Sequence, residues 1–315
     1  MPERAKRTAR RWVSNKPPSL PMTGYIDFDG KRLGYESYGE GERILVYLHG
    51  LLLDALLNRG LARALADRGH RVVLLDLLGH GKSDKPTAAS EHRMDRYALQ
   101  VVALLDALGI EAAVVGGVSL GANVSLLTAV QAPERVRGLV LEMPVLERAA
   151  PVAALTFVPL LLVLRYGSGF ARALGSIARR VPRTGIDPLN SVFEALSLQP
   201  EQAAAVLQGI LVGPIAPTVE ERSAITAPTL ILAHRADLLH PLSDASDLAR
   251  EMPSARLLRA SSPLELRLRP ERLTAELAEF LDKVWADAGQ ATGSRAVRAR
   301  ERIVLADLQS SGGAA

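Results

Sequence analysis

The sequence predicts an α/β protein in which helices cover both faces of a mostly parallel, twisted sheet. Short apolar runs alternate with longer segments of helical periodicity, as in strands joined by crossover helices. This alternation stops between about residues 146 and 222, which indicates an insertion. The chain has 315 residues, 48% of them hydrophobic, and that is enough for one large core with an inserted subdomain.

The elements follow in a regular order along the chain. Residues 24–38 predict two strands around Asp29-Gly30, a dipeptide that favours tight hairpin turns. Six apolar runs predict the remaining strands: Ile44–Leu48, Arg71–Leu75, Ala112–Val115, Val136–Leu141, Thr229–Ala233 and Arg256–Arg259. Helical patterns occur between them, for example over residues 97–108 and 120–132, and a closing helix is predicted near residues 271–285.

Four further segments complete the predicted organisation. The α/β core comprises residues 21–145 and 222–287. Residues 146–221 are rich in Ala, Leu and Pro and show no strand pattern, so we expect a mostly helical lid over the carboxyl ends of the strands. Residues 1–20 carry six basic side chains against Glu3 and predict a disordered basic arm. Residues 288–315 predict a flexible tail.

Composition excludes several classes of function. The chain has no cysteine, so it has neither disulfides nor a thiolate nucleophile; this fits a reducing compartment, and we expect a cytoplasmic protein. The most apolar stretch, residues 149–164, is shorter than a spanning helix and contains two prolines, so we expect no stable membrane insertion. Aromatic residues make up 4% of the chain and do not interleave with basic ones, so nucleic acid is not an expected partner. No metal-ligand or dinucleotide motif occurs, so no metal and no cofactor are predicted. The oligomeric state stays open.

The motif with most chemical content is Gly117-Val118-Ser119-Leu120-Gly121. It lies between a predicted strand and a predicted helix, the context of a nucleophile elbow. Glycine two residues before and after the serine lets neighbouring backbone approach closely, and the helix N-terminus favours developing negative charge. The alternative is that Ser119 is an ordinary helix N-cap.

Two loops accompany this elbow. His49-Gly50 ends the first parallel strand, and the N–H of Leu51, with that of Leu120, would form an oxyanion hole. His49 itself is expected to be structural rather than a base, lining the pocket together with Gly50 and His234. After the next strand, Asp76-Leu77-Leu78-Gly79-His80-Gly81 predicts a tight turn with a structural histidine.

Acidic candidates follow later strands. Asp237 comes shortly after the run Thr229–Ala233 and is the candidate orienting acid of a triad. Asp244 competes with it, but we expect Asp244 to cap the helix that follows. Glu142, at the end of the fourth run, is either an acid partner or the partner of a nearby arginine.

In their order and spacing these motifs resemble the α/β-hydrolase superfamily over residues 24–286. The resemblance implies that Ser119 is the nucleophile, Asp237 the acid, and Leu51 and Leu120 the oxyanion donors. It also implies a base in a Gly-His pair after the last strand. The corresponding stretch, residues 260–271, has no histidine, and none of the six histidines of the chain lies beyond His240.

Three hypotheses account for the missing base. The base is relocated to His240, which we favour, or to His234. Alternatively, Ser119 reacts slowly, with water or a lid carboxylate as the base. In the third hypothesis, the protein keeps the fold as a binding or interaction module that holds an acyl chain.

We predict a serine-dependent hydrolase of a small or medium apolar ester or related acyl substrate. The apolar side chains of residues 149–164 are expected in part to pack on the core and in part to line its pocket.

Overall fold

A computed structural model describes residues 20–235 and 239–287, and this part of the chain forms an eight-stranded sheet. The order is β1-β2-β4-β3-β5-β6-β7-β8; β1 and β2 pair antiparallel, β2 is antiparallel to β4, and the other pairs are parallel. The strands are β1 Met22–Phe28, β2 Lys31–Tyr38, β3 Ile44–Leu48, β4 Arg71–Leu75, β5 Ala113–Val118, β6 Val136–Glu142, β7 Thr229–Ala233 and β8 Ala255–Arg259. The predicted fold class is confirmed.

Helices pack on both faces of the sheet. Buried side chains of α2, α3 and α9 form one core cluster, and those of α1, α10 and α11 form another on the opposite face. The helices are α1 Arg59–Ala66, α2 Met94–Ala107, α3 Leu120–Gln131, α4 Ala150–Tyr166, α5 Ser168–Arg180, α6 Asp187–Leu196, α7 Pro200–Val212, α8 Val219–Ala224, α9 Leu242–Glu251, α10 Glu265–Leu268 and α11, residues 271–287.

The predicted hairpin turn lies between β1 and β2. Asp29 has φ 53° and Gly30 φ 74°, the left-handed pair that a two-residue hairpin turn requires. Strand β5 is longer than its apolar run predicts, because backbone pairing continues through Gly117 to Leu48 on one side and Leu141 on the other. Glycine is depleted in strands, so a propensity argument ends this strand too early. The longer strand delivers the chain directly to Ser119.

Residues 146–221, the predicted lid, contain α4 to α7 and the start of α8. The expectation for α4 is wrong in one respect: of its seventeen residues only Ala153 is buried, so its apolar side chains do not pack on the main core. The helix instead rests on α7, which leaves most of its surface uncovered. No single described helix is both long and apolar enough to cross a membrane; α4 and α5 reach that composition only as a pair, bent by 96° at their junction.

Buried polar side chains tie the two ends of the insertion to the core. Asn123, on α3, donates to the carbonyls of Val145 and Ile215 at 2.6 and 2.8 Å. Arg222, whose side chain is fully buried, contacts Glu147 and Glu251 and donates to the Pro217 carbonyl. These bonds connect both ends of the insertion to the helices beside the sheet.

The prediction that Asp244 caps the helix after it is wrong, and Asp244 instead binds backbone amides in the turn before α4. Its buried carboxylate accepts from the amides of Leu146, Arg148 and Ala149 at 2.9, 3.2 and 3.1 Å, just before α4 begins. Its own helix, α9, starts at Leu242, so Asp244 already lies within the first turn. The predicted arm, residues 1–20, and tail, residues 288–315, lie outside the described residues except for Leu20, and both stay predictions.

Candidate active site

Ser119 lies on a strained turn between β5 and α3. Its φ is 54° and its ψ −110°, a conformation that costs a non-glycine residue free energy and occurs mainly where function requires it. The Ser119 amide donates to the Glu142 carbonyl at 2.8 Å, which holds the turn against the end of β6. Its side chain makes no capping bond to α3, so the ordinary N-cap interpretation does not describe it.

The two glycines of the elbow are required by close backbone approach. A Cβ on Gly117 would lie 2.7 Å from the Gly121 carbonyl carbon and 2.8 Å from the Leu48 oxygen. A Cβ on Gly121 would lie 2.7 Å from the Leu48 oxygen and 2.9 Å from the His49 oxygen. The elbow is therefore pressed directly against the end of β3 and the loop that follows it.

His240 is the residue that meets the serine hydroxyl. Its Nε2 lies 2.9 Å from Ser119 Oγ, across a separation of 121 residues in sequence. His240 precedes α9, on the connection that follows β7. The structure thus brings together Ser119 and His240, whereas Asp237 lies outside the described residues.

The other candidate base has a different environment. His234 is buried at the end of β7, and its Nε2 lies 3.2 Å from the sulfur of Met143. That nitrogen is directed at Met143 rather than at Ser119. Of the two relocated histidines, the contact geometry favours His240.

The predicted oxyanion loop lies beside the elbow. An ideal Cβ on Gly50 would be 3.8 Å from the Val118 carbonyl oxygen, which places residues 49–51 next to the residue before Ser119. Leu52 has φ 60°, so this loop too has strained backbone. No hydrogen bond from the Leu51 or Leu120 amide to a described residue is present.

His49 and His80 are buried and held by the backbone. His49 Nε2 accepts from the Leu77 amide at 3.0 Å, and its Nδ1 lies 2.8 Å from the Gly50 carbonyl. The two rings pack 4.6 Å apart. Burial lowers the pKa of both, and for His80 the neighbouring His49 adds to the effect. Both side chains support the loops through these contacts. The assignment of His49, Gly50 and His234 as pocket-lining residues stays a prediction.

Glu142 belongs to a buried ion pair. Its carboxylate accepts from Tyr47 Oη at 2.7 Å and pairs with the guanidinium of Arg267 on α10. Arg267 also donates to Asn58 Oδ1 at 2.8 Å. Of the two interpretations of Glu142, the arginine partner is the one observed. Sequence reasoning missed Arg267, Tyr47 and Asn58 because each is an ordinary residue until the fold brings them together.

In the stretch after β8, where the resemblance implies a catalytic base, the described polar side chains pair with one another. The Ser261 amide and hydroxyl both donate to Glu265, and Arg272 pairs with the same carboxylate. Ser262 and Pro263, where the family resemblance would place a histidine, border a cavity of only about 10 Å³ with His234 and Met143.

Two larger cavities lie between the core and the insertion. Their volumes are about 450 and 400 Å³, and they share Asp54, Gly81, Arg183 and Glu194. The larger one reaches Leu52, in the oxyanion loop. Burial raises the pKa of Asp54 to about 6, with Asp76 and Glu194 adding to the effect, and burial lowers the pKa of Lys85. No group of three or more side chains suited to a metal ion occurs within residues 20–235 and 239–287.

Comparison with known proteins agrees with this architecture. The profile of a family described as the alpha/beta hydrolase fold matches residues 43–176. The esterase of Thermogutta terrifontis is 26% identical with a TM-score of 0.66, over 84% of this chain and 99% of that one. The enol-lactonase of Burkholderia xenovorans LB400 is 21% identical with a TM-score of 0.67, over 82% and 100% of the two chains.

Curated sequences match over a shorter region. A 2-hydroxy-6-oxononadienedioate/2-hydroxy-6-oxononatrienedioate hydrolase of Paraburkholderia phymatum is 39% identical over 113 residues, 35% of this chain and 39% of that protein. The matches thus span about two fifths of these relatives. The profile match over residues 43–176, the sheet order and the likeness to solved structures over 82–84% of this chain all point the same way: the chain has the alpha/beta hydrolase fold.

Proposed function

We propose that this protein is a serine-dependent hydrolase of a small or medium ester or related acyl substrate, with Ser119 as nucleophile and His240 as base. The observation that carries the proposal is the 2.9 Å separation between His240 Nε2 and Ser119 Oγ. A serine hydroxyl is a weak nucleophile until a base within hydrogen-bond distance can take its proton. His240 meets that geometric requirement from a loop that differs from the usual one in this superfamily.

The proposed reaction has two half-reactions. His240 Nε2 takes the proton from Ser119 Oγ as the oxygen attacks the carbonyl carbon, and the amides of Leu51 and Leu120 stabilise the oxyanion. The protonated imidazole then gives its proton to the departing alcohol, which leaves an acyl-serine. Water attacks this ester, again with His240 accepting the proton, and releases the carboxylic acid and free Ser119.

Asp237 completes the proposed triad as the orienting acid. Its support is its sequence position, between β7 and the loop histidine and three residues before His240. An acid there would hold the imidazole in the tautomer that accepts from Ser119.

An apolar acyl group is the proposed substrate feature. The side chains of the two proposed donor residues, Leu51 and Leu120, are apolar, as is Leu52; Leu51 and Leu52 pack against the apolar core cluster to which Leu120 belongs. A neighbouring cavity is lined by Lys85 and Arg183 together with Asp54 and Glu194, and Arg183 pairs with Glu194, so it would suit a polar leaving portion of the same ester. A panel of p-nitrophenyl esters tests this feature, and turnover that does not rise from acetate to a medium-chain ester would contradict it.

Removing the proposed nucleophile or base tests the mechanism. We expect Ser119→Ala to lower p-nitrophenyl ester turnover to background and His240→Gln to lower it by at least about a thousand-fold, since loss of one triad member can cost on the order of a million-fold. Ser246→Ala, a hydroxyl removal on neighbouring α9, is the matched control and should retain turnover. His234→Gln should lose far less than His240→Gln.

A fluorophosphonate probe separates an active serine from an inert one. It should label the wild-type protein on Ser119 and fail to label Ser119→Ala. Equal turnover by wild type and Ser119→Ala, with no labelling of either, would instead favour the binding-module hypothesis.

A further inference from the structure

Helices α4 and α5 carry an unusual exposed surface, which we call the α4–α5 face. Nine large apolar side chains on these two helices are exposed, among them Leu155 at 77%, Tyr166 at 81% and Phe170 at 73%. Folded proteins rarely leave so many neighbouring apolar side chains in water unless the surface meets a partner. Exposed apolar side chains in this number indicate a surface that binds a partner.

The charges on the α4–α5 face indicate the chemistry of that occupant. Between Ala150 and Arg180 the chain has four arginines, Arg165, Arg172, Arg179 and Arg180, and no aspartate or glutamate. Arg172 pairs with Glu201, but no carboxylate within residues 20–235 and 239–287 pairs with Arg165, Arg179 or Arg180. The partner should therefore be apolar and anionic at once.

We propose that the α4–α5 face binds the surface of an anionic phospholipid bilayer. Its apolar side chains would enter the interface between headgroups and acyl chains, while Arg165 and Arg180, which pair with no described carboxylate, meet lipid phosphates. A second copy of the chain fits less well, because two such faces would bring arginines together without any acid of their own to neutralise them.

The α4–α5 face adjoins the proposed site. Arg179, from the end of α5, and Arg183 line the 450 Å³ cavity that reaches Leu52 in the oxyanion loop. The inference goes beyond the proposed function but does not depend on Ser119 chemistry. Ser119→Ala should bind vesicles as the wild type does, so the two proposals fail separately.

Vesicle co-sedimentation of the full chain tests the proposal. We expect binding to vesicles of phosphatidylcholine mixed with phosphatidylglycerol, weaker binding to phosphatidylcholine alone, and a decline as salt rises. Tyr166→Ser/Phe170→Ser should lower the partition coefficient roughly ten-fold or more. Tyr25→Ser, the same residue type exposed on β1, should leave it unchanged.

A second variant tests the charge. Arg165→Gln/Arg180→Gln should remove most of the preference for anionic vesicles, roughly a ten-fold loss. Residues 1–19 are present in every variant, so differences between variants report on the helices. Circular dichroism and thermal unfolding show that each variant is folded. Absence of binding to anionic vesicles would overturn the proposal, as would a dimer in sedimentation velocity that Tyr166→Ser/Phe170→Ser abolishes.

Discussion

At the scale of single residues, Asp54, an acid near the oxyanion loop, has a raised pKa because the folded protein disfavours its charged form. It begins the short 3-10 helix Ala55–Asn58 by accepting from the Leu56 amide at 3.1 Å, and its own amide donates to Ser191 of the insertion. Burial, with Asp76 and Glu194 adding to the effect, raises its pKa to about 6 from the ordinary 3.8. Ionisation of Asp54 therefore lowers the stability of the folded state.

This raised pKa predicts the direction of a pH effect. A carboxyl with a folded-state pKa near 6 contributes stability that is complete below 3.8 and lost as the pH rises through 6. Asp54→Asn retains an oxygen for the Leu56 amide and cannot ionise. Relative to wild type, the variant should gain about 1 kcal/mol in free energy of unfolding between pH 5 and pH 8. Denaturant unfolding at both pH values measures this, and parallel pH dependences in the two proteins would contradict it.

The buried Glu142–Arg267 pair shows that an acid beside the elbow can have a structural partner. An acid at the end of β6 lies next to the elbow, and the Ser119 amide donates to its carbonyl. Its carboxylate is nonetheless taken by Arg267 and Tyr47. The cost of removing both charges from water offsets much of the attraction within a buried pair of this kind, so the pair adds little net stability.

At the scale of elements, the contact between the start of α3 and the end of β3 sets the elbow. Gly121→Ala would place a methyl group 2.7 Å from both Leu48 Cβ and the Leu48 oxygen, so strand or helix must shift. We expect a loss of about 2–3 kcal/mol in stability and at least a ten-fold loss of ester turnover, because the oxyanion loop moves with β3.

Gly60→Ala is the matched control for this change. Gly60 also lies in the first turn of a helix, α1, but a Cβ there meets nothing within 4 Å. Alanine should raise stability by about 0.5–1 kcal/mol and leave turnover unchanged. Thermal unfolding and the ester assay compare the two variants. Equal stability of Gly121→Ala and wild type would show that the elbow tolerates the methyl group.

At the scale of the whole molecule, buried hydrogen bonds and the buried side chains of α7 hold the insertion on the core. Asp244 accepts from three amides that lie 95 to 98 residues away in sequence. It lies on α9, the helix that follows His240, so one side chain links the start of the insertion to the loop that carries the proposed base.

Asp244→Ala should loosen this connection. Three amides before α4 would lose their acceptor, and we expect a loss of about 2–3 kcal/mol together with faster hydrogen exchange at the start of α4. Asp247→Ala, on the same helix, removes only ion pairs with the exposed arginines Arg148 and Arg250 and should cost about 0.5 kcal/mol or less. Similar exchange in the two variants would show that Asp244 does not anchor the insertion.

Local patterns in the sequence predict much of this molecule. Residues close together along the chain predict the order of strands and helices, the Asp29-Gly30 turn and the elbow. Periodicity and glycine spacing are patterns of such short sequence separations. The same reasoning ends β5 too early at its glycines and expects part of the apolar surface of α4 to pack on the core, because a local pattern does not contain the neighbours that an element meets.

Pairings between distant residues depended on the tertiary structure alone. From the sequence, His240 and His234 were both candidates, and only the path of the chain after β7 brings His240, 121 residues away, to Ser119 Oγ. The same holds for Arg267 with Glu142 and for Asp244 with the start of α4. The physical reason is that a hydrogen bond needs atoms within about 3 Å, a condition that composition and spacing do not encode until strands and helices are packed.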